Sequence, residues 1–405
     1  MNKLLSLLKS RDTALAASWT ISSIAYSIIY PFIPVYLHQT RNLPMEQAGL
    51  IFPIMASASI FLPPLAGWLS DHYPRTNLMR IGQGGRGFLF LLLALMIAIE
   101  APFWVFCILF FINSGTGVIF ENSADAYLSS FTTKEERPRA YSKIRIGTNI
   151  GWALGPAAGA FLASWPYELL FVITACICIG SERFIRYILP KTPRVPRDVV
   201  LKPLANRGGG LWKDHYILAI LAGVFLLILL SAQLYSVMGV YVTKAVSLSR
   251  RELGFVYFFN GFTIIVGQIP ITTLLGKLKI PHNWRLVIGA LFYFCGYFYL
   301  GFAKNFFDVV CAVIILTCGE LIVQVAIYAV VTAAAPAEKV GRYLSAWVFV
   351  RGSAAALGPY IGSLLFARLT DSPVLFWGIL SSFGASSALV FAVIALAKRH
   401  TKALT

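Results

Sequence analysis

The sequence predicts an all-α membrane protein, with twelve transmembrane helices in two pseudo-symmetric six-helix bundles. Three observations predict it. The 405 residues are 58% hydrophobic and only 13% charged, too little polar surface for a water-soluble globule of this size. The apolar residues gather into runs of about 20 or more, the length a helix needs to cross the hydrocarbon. Finally, the stretch Arg139–Ser164 returns without a gap as Arg342–Ala367, 203 residues later, which is about half the chain.

The repeated stretch reads RAYSKIRIGTNIGWALGPAAGAFLAS and then RYLSAWVFVRGSAAALGPYIGSLLFA. Arg139 falls on Arg342, Ser142 on Ser345, Gly155-Pro156 on Gly358-Pro359 and Gly159 on Gly362, with Glu135 upstream on Glu338. Gly151, Gly155 and Gly159 recur every four residues, so on a helix they form one smooth stripe. Such a stripe lets two backbones approach closely in lipid, where packing replaces the hydrophobic effect. A Gly-Pro pair would break a soluble helix but is tolerated in a membrane span whose neighbours satisfy the freed carbonyls. Tyr30–Leu50 also resembles Tyr235–Phe255 at an offset of 205, pairing Tyr30, Tyr36 and Gly49 with Tyr235, Tyr241 and Gly254. The first helix therefore maps onto the seventh and the fifth onto the eleventh, a duplication of one half.

The twelve spans fall at roughly 14–37, 46–70, 78–99, 103–130, 140–164, 168–189, 214–242, 252–276, 285–303, 307–333, 342–367 and 374–397. The basic leader MNKLLSLLKSRD runs into the first span without a small-residue cleavage site, which reads as a retained helix rather than a signal peptide. The connection at 191–213 carries Pro193, Pro196, Pro203, three consecutive glycines and many Lys and Arg. It reads as a cytoplasmic linker between an N-terminal bundle at 1–190 and a C-terminal one at 214–405. With both termini inside, about 25 Lys and Arg lie in cytoplasmic segments against about six in outer loops, as the positive-inside rule requires. That rule also explains the net charge of +17. The basic residues form no stripe and no base-stacking module, which excludes nucleic acid as a partner. The six cysteines lie within apolar spans at no metal-ligand spacing, so no metal is expected.

In this setting the chain resembles the major facilitator superfamily over essentially its whole length. Gly151-xxx-Gly155-Pro156-xx-Gly159 is similar to the motif regarded there as typical of antiporters. The resemblance implies a close, bendable contact between the fifth helix and a neighbour in the other half; plain helix packing is the alternative. Gly67-Trp-Leu69-Ser-Asp71-His-Tyr-Pro74-Arg75 resembles the family's loop between helices two and three. There the Asp caps a helix and pairs with the other half in the outward-facing state, which implies a gating role for Gly67, Asp71 and Arg75. His72 and Pro74 depart from the family's Arg and Gly, leaving the loop stiffer and one charge poorer. Drug exporters of that family carry an Arg in helix four about four residues before a Gly. Here the Gly is Gly115 and the position holds Phe111, a departure from their standard proton mechanism.

The chain places acid in the membrane instead. Glu121 and Asp125 lie one turn apart on one face of helix four, and Glu320 lies in helix ten, where the offset of 203 maps it to Gly117. Ionisable groups at membrane depth are costly and mark ion paths or wet cavities, and two carboxylates one turn apart do not both ionise cheaply. They suit proton carriers; a structural ion pair with Arg86 in helix three or Arg145 in helix five is the alternative. Arg351 has no repeat counterpart, since Thr148 stands there. It lies too far into helix eleven to snorkel and is a candidate for binding an anionic group or pairing with Glu320. Tyr26, Tyr30, Gln233 and Tyr235 fall where this family lines its central cavity, although aromatic residues near span ends also serve as interfacial anchors. Gly82-Gln-Gly84-Gly85-Arg86-Gly87 satisfies a dinucleotide fingerprint but lies inside an apolar helix rather than after a strand, so it reads as close helix packing.

The expected activity is secondary active transport by alternating access. Proton-coupled efflux of an amphipathic small molecule, such as a drug, a secreted metabolite or a siderophore, leads. Import or facilitated passage of a polar nutrient on the same fold is the alternative. No enzymatic activity and no cofactor are expected, the proton gradient being the energy source. The expected partners are the small molecule, protons and the lipid bilayer. The chain is expected to be a monomer in a bacterial inner membrane, with both termini cytoplasmic.

Overall fold

The computed structural model describes residues 10–133, 136–162, 165–190, 214–335 and 340–403. The 191–213 linker, Glu135 and Glu338 lie outside the described residues. Among those described, all regular structure is helical. In chain order the segments are α1 (Arg11–Thr40), α2 (Met45–Phe61 with Pro63–His72), α3 (Arg75–Ala98), α4 (Phe103–Phe131), α5 (Arg137–Leu162) and α6 (Tyr167–Ile188). They continue with α7 (His215–Tyr235, then Val237–Lys244), α8 (Arg250–Lys277), α9 (His282–Leu300), α10 (Phe306–Ala334), α11 (Val340–Leu369) and α12 (Pro373–Ala403). Eight are long and apolar enough to span a bilayer, and the two parts of α2 make a ninth. The other three, α5, α6 and α9, are 26, 22 and 19 residues long. Charges such as Lys143, Arg145, Glu182 and Arg183, or the tyrosines of α9, dilute their apolar content.

Local chemistry sets where the helices begin. Pro74, Pro102, Pro166 and Pro281 stand at the N-caps of α3, α4, α6 and α9, where a missing N–H costs nothing. Elsewhere side chains cap the free amides. Asp214 accepts from the Ile217 amide before α7, Asn305 from Asp308 before α10, and Ser249 with Glu252 forms a reciprocal capping box before α8.

The duplication is visible at the level of single turns. After α1, Asn42 takes φ 54° while the Leu43 amide donates to the Leu37 carbonyl; after α7, Ser247 takes φ 61° while the Leu248 amide donates to the Val242 carbonyl. All three pairs of positions are 205 apart. Both helices also tighten into 3₁₀ turns that share the paired position Tyr30/Tyr235, Tyr30–Phe32 in α1 and Ala232–Tyr235 in α7.

The second span is not the single straight helix that its apolar run at 46–70 implies. It bends by 43° between Phe61 and Pro63. Pro63 and Pro64 lack the amides that would bond one turn back, and the second part simply restarts with proline at its first positions.

The chain divides into two compact units, Met1–Ile33 with Pro53–Ala205, and Pro34–Phe52 with Asn206–Thr405. In the first unit the glycine stripe of α5 packs against α1 of the same unit. A Cβ at Gly151 would meet the Ile24 amide and the Thr20 carbonyl at 3.0 Å, one at Gly159 the Ile28 carbonyl at 2.9 Å, and one at Gly155 the Ser27 hydroxyl. Ser27 Oγ donates to the Gly151 carbonyl at 3.0 Å across that contact. The second unit repeats the arrangement between α11 and α7, where a Cβ at Gly358 would lie 2.8 Å from the Leu229 carbonyl. The expectation that the stripe serves a contact with the other half is corrected: each stripe clamps two helices of its own unit. Backbone atoms fill the space a side chain would need, so only glycine fits. Both helices run unbroken through Pro156 and Pro359.

Candidate functional site

In the first unit the polar centre is Arg86 on α3, only 7% exposed. Its Nη1 donates to Ser22 Oγ at 3.2 Å, an oxygen that also accepts from Gln83 Nε2 at 2.8 Å. Its guanidinium lies over the Tyr26 ring, 5.4 Å from the centroid. Tyr26 in turn packs with Tyr30 at 5.2 Å and with Trp152 of α5 at 6.0 Å. Gly117 on α4 makes room for this guanidinium, because a Cβ there would strike Arg86 Nη2. The charge of Glu121 reaches Tyr26 from α4 and also reaches Asp125, one turn further along. Arg86 is therefore held by a hydroxyl and an aromatic face. Glu121, Asp125 and Arg145 are all exposed.

In the second unit the centre is a carboxylate. Glu320 on α10 is half-buried, and its side chain is hydrogen-bonded by Asn260 of α8 and Gln324, one turn along α10. Asn260 is saturated: its Oδ1 accepts from Tyr235 at 2.8 Å and its Nδ2 donates to Thr317 at 2.8 Å. Thr317 Oγ1 in turn donates to the Val313 carbonyl at 2.6 Å. Tyr235, Tyr293 and Tyr297 all lie within the electrostatic reach of Glu320, and Tyr257 packs on Tyr235 at 5.2 Å. Arg351, exposed on α11, adds its field to the same carboxylate. A carboxylate with fixed amide donors and a wall of tyrosines can exchange a proton without losing its place.

Of the five cavity candidates, Tyr26, Tyr30, Tyr235 and Arg351 join these clusters and Gln233 does not. Gln233 has no exposed surface. Its Nε2 donates to the Leu229 carbonyl at 2.8 Å and to the Gly358 carbonyl at 2.7 Å. It is a lock between α7 and α11, the counterpart of the Ser27 bond between α1 and α5. The gating loop is partly tied down: Arg75 Nη1 donates to the Ala126 carbonyl of α4 at 2.9 Å, with exposed Asp71 adding its charge. Gly67 faces open space. Sequence reasoning passed over Asn260, Gln324, Ser22 and the tyrosines of α9. The two amides carried a usable signal, since Asn260 interrupts an apolar run and Gln324 stands one turn from Glu320.

The family model described as the Major Facilitator Superfamily matches residues 15–359. The chain belongs to that superfamily. Its members are transporters, not enzymes, and this is a multi-pass membrane protein with a small-molecule substrate. The chain is 25% identical over 345 residues to the uncharacterized MFS-type transporter YttB of Bacillus subtilis, covering 85% of this chain and 84% of that one. The multidrug resistance protein MdtG of Klebsiella pneumoniae is 26% identical over 174 residues, 42% of this chain and 41% of MdtG. Among solved structures, a bacterial homolog of the human lysosomal transporter Spinster, inward-facing and unoccupied, superposes with a TM-score of 0.73. That match covers 96% of each chain at 15% identity. The nucleoside transporter NupG superposes with a TM-score of 0.74 at 13% identity, covering 95% of this chain and all of NupG. At such identities these likenesses establish the fold.

Proposed function

We propose that this superfamily member is a proton-coupled exporter of an amphipathic small molecule, working by alternating access as a monomer in a bacterial inner membrane with both termini cytoplasmic. The observation that carries the proposal is the Glu320 network. Its carboxylate is the acceptor for two amide donors and faces a tyrosine wall. Protonating it removes a charge from membrane depth and releases the field that holds a polar or cationic substrate group, so proton and substrate compete. Glu121 and Asp125 supply a second acidic step beside Tyr26, and Arg351 sets the field around Glu320. The clamped glycine stripes let each unit move as a rigid body, and the Asp71–Arg75 loop holds the outward-facing state. The relatives named as multidrug resistance proteins agree with export. Aromatic walls with few fixed polar groups also suit an amphipathic ligand better than a polar nutrient.

The test is flux in proteoliposomes containing the purified protein under an imposed pH gradient. A panel of cationic dyes, zwitterions and organic anions is loaded while internal pH is followed. Substrate-dependent proton movement in the opposite direction is expected. Flux without proton movement overturns the coupling and makes the acids structural.

A further inference from the structure

A groove of about 800 Å³ runs between α3 and α6 of the first unit, away from both polar centres. At one end it holds Arg80, Glu182 and Arg183. Arg80 Nε donates to Glu182 Oε1 at 2.8 Å, and Arg183 Nε lies 3.6 Å from the other carboxylate oxygen. Both contacts use Nε, which leaves the Nη groups of two guanidiniums against one already engaged carboxylate, a surplus of one positive charge. The Arg183 side chain is 56% exposed, whereas that of Glu182 is 14% exposed. Further along, the walls are Ile81, Phe88 and Ile179, with Ile81 and Phe88 each 60% exposed. Leu91 and Leu95 continue this exposed apolar stripe along α3. A side chain at Gly84 would begin 3.6 Å from Glu182 Cγ and fill the groove.

The charges and the apolar walls sit at different depths. Arg80 is five residues from the start of α3 and Arg183 five from the end of α6, so both lie about 7–8 Å from the helix ends. From there both guanidiniums can snorkel to the headgroups. Phe88 is thirteen residues in, about 20 Å deep, where only hydrocarbon solvates an exposed phenyl ring. Cationic at headgroup level and apolar below, the groove has the polarity of a phospholipid lying along it. The repeat shows that the fold does not require a cation here, since with the N-cap prolines Pro74 and Pro281 aligned, 207 apart, Arg80 falls on Val287.

We propose that this groove is a binding site for an anionic phospholipid, with the phosphate on Arg80 and Arg183 and an acyl chain along Ile81 and Phe88. The site is independent of the transport reading. It is tested by native mass spectrometry of the full-length protein titrated with phosphatidylglycerol or phosphatidylcholine of matched chains. The wild type is expected to retain phosphatidylglycerol preferentially, and Arg183→Gln to weaken that retention by about fivefold, the worth of one arginine at a charged membrane surface. Arg183→Lys, which keeps the charge, is expected to retain most of it. Gly84→Leu is expected to expel both lipids. Equal retention of the two lipids by the wild type overturns the proposal. So does unchanged phosphatidylglycerol retention in both Arg183→Gln and Gly84→Leu.

Discussion

The two units share one repeated sequence yet centre their polar clusters on side chains of opposite charge, Arg86 and Glu320. In the first, Arg86 of α3 projects against Gly117 of α4 and is held by Ser22 and the Tyr26 ring. In the second, the position matching Gly117 is Glu320, held by Asn260 and Gln324. What the halves keep in common is mechanical: the 3₁₀ turn in α1 and α7, the left-handed turn residue at 42 and 247, and the glycine stripe clamped on its partner helix. Where they diverge is chemical. Duplication therefore separates the two jobs, and the positions that broke the repeat are those expected to act on substrate and proton.

The largest expected effect breaks the chemical side of this comparison. Glu121→Gln should lower pH-driven flux while leaving expression intact, and Glu121→Gln with Asp125→Asn should lower it further. A double variant that couples as well as wild type would assign proton handling to the second unit alone. The mechanical side comes next. Gly155→Ala pushes a methyl onto the Ser27 hydroxyl and Gly358→Ala pushes one against the Leu229 carbonyl, and each should destabilise its unit by about 1–3 kcal/mol, the usual cost of overpacking. Thermal unfolding of the purified protein reads this, and near-additivity in the double variant would confirm that the two clamps are independent. Gln233→Leu sharpens the assignment of that residue. It should cost about 1 kcal/mol for the lost bonds and leave the order of substrate preference unchanged. A changed preference would return Gln233 to the cavity.

The smallest effect lies where the helices begin. Asp12 of α1 is salt-bridged to Lys143 of α5, whereas in the second unit Asp214 accepts from the Tyr343 hydroxyl of α11 at 2.8 Å. Burial alone would raise the Asp12 carboxyl, but hydrogen bonds from Lys143 and Ser10, with the lysine charge, hold it below its ordinary value. A depressed carboxylate stabilises the fold above its unfolded pKa and loses that contribution as pH falls through the folded one. Lys143→Met should therefore cost well under about 1 kcal/mol at neutral pH, the pair being partly exposed, and the difference should begin to shrink below about pH 4 and vanish once the pH is under the depressed folded value.

Much of this was legible beforehand. Length, hydropathy and the 203-residue repeat carry the fold because lipid admits few architectures, and intramembrane acids stand out because each is costly. The bend in α2 was written in Pro63-Pro64 and was overlooked in a continuous apolar run. The partner of the glycine stripe was not legible, because a stripe announces close approach without naming the neighbour. Gln233 misled for a related reason: a polar residue in a span reads alike whether it faces a cavity or caps a carbonyl on the next helix. Asn260 and Gln324 become meaningful only when the fold brings α8 beside α10.

The most direct test of the central claim is Glu320→Gln in proteoliposomes, comparing pH-gradient-driven flux with exchange of labelled against unlabelled substrate. Loss of gradient-driven flux with exchange retained is the predicted result, since the network can still form around a glutamine but can no longer carry a proton. Gradient-driven flux equal to wild type would contradict the account.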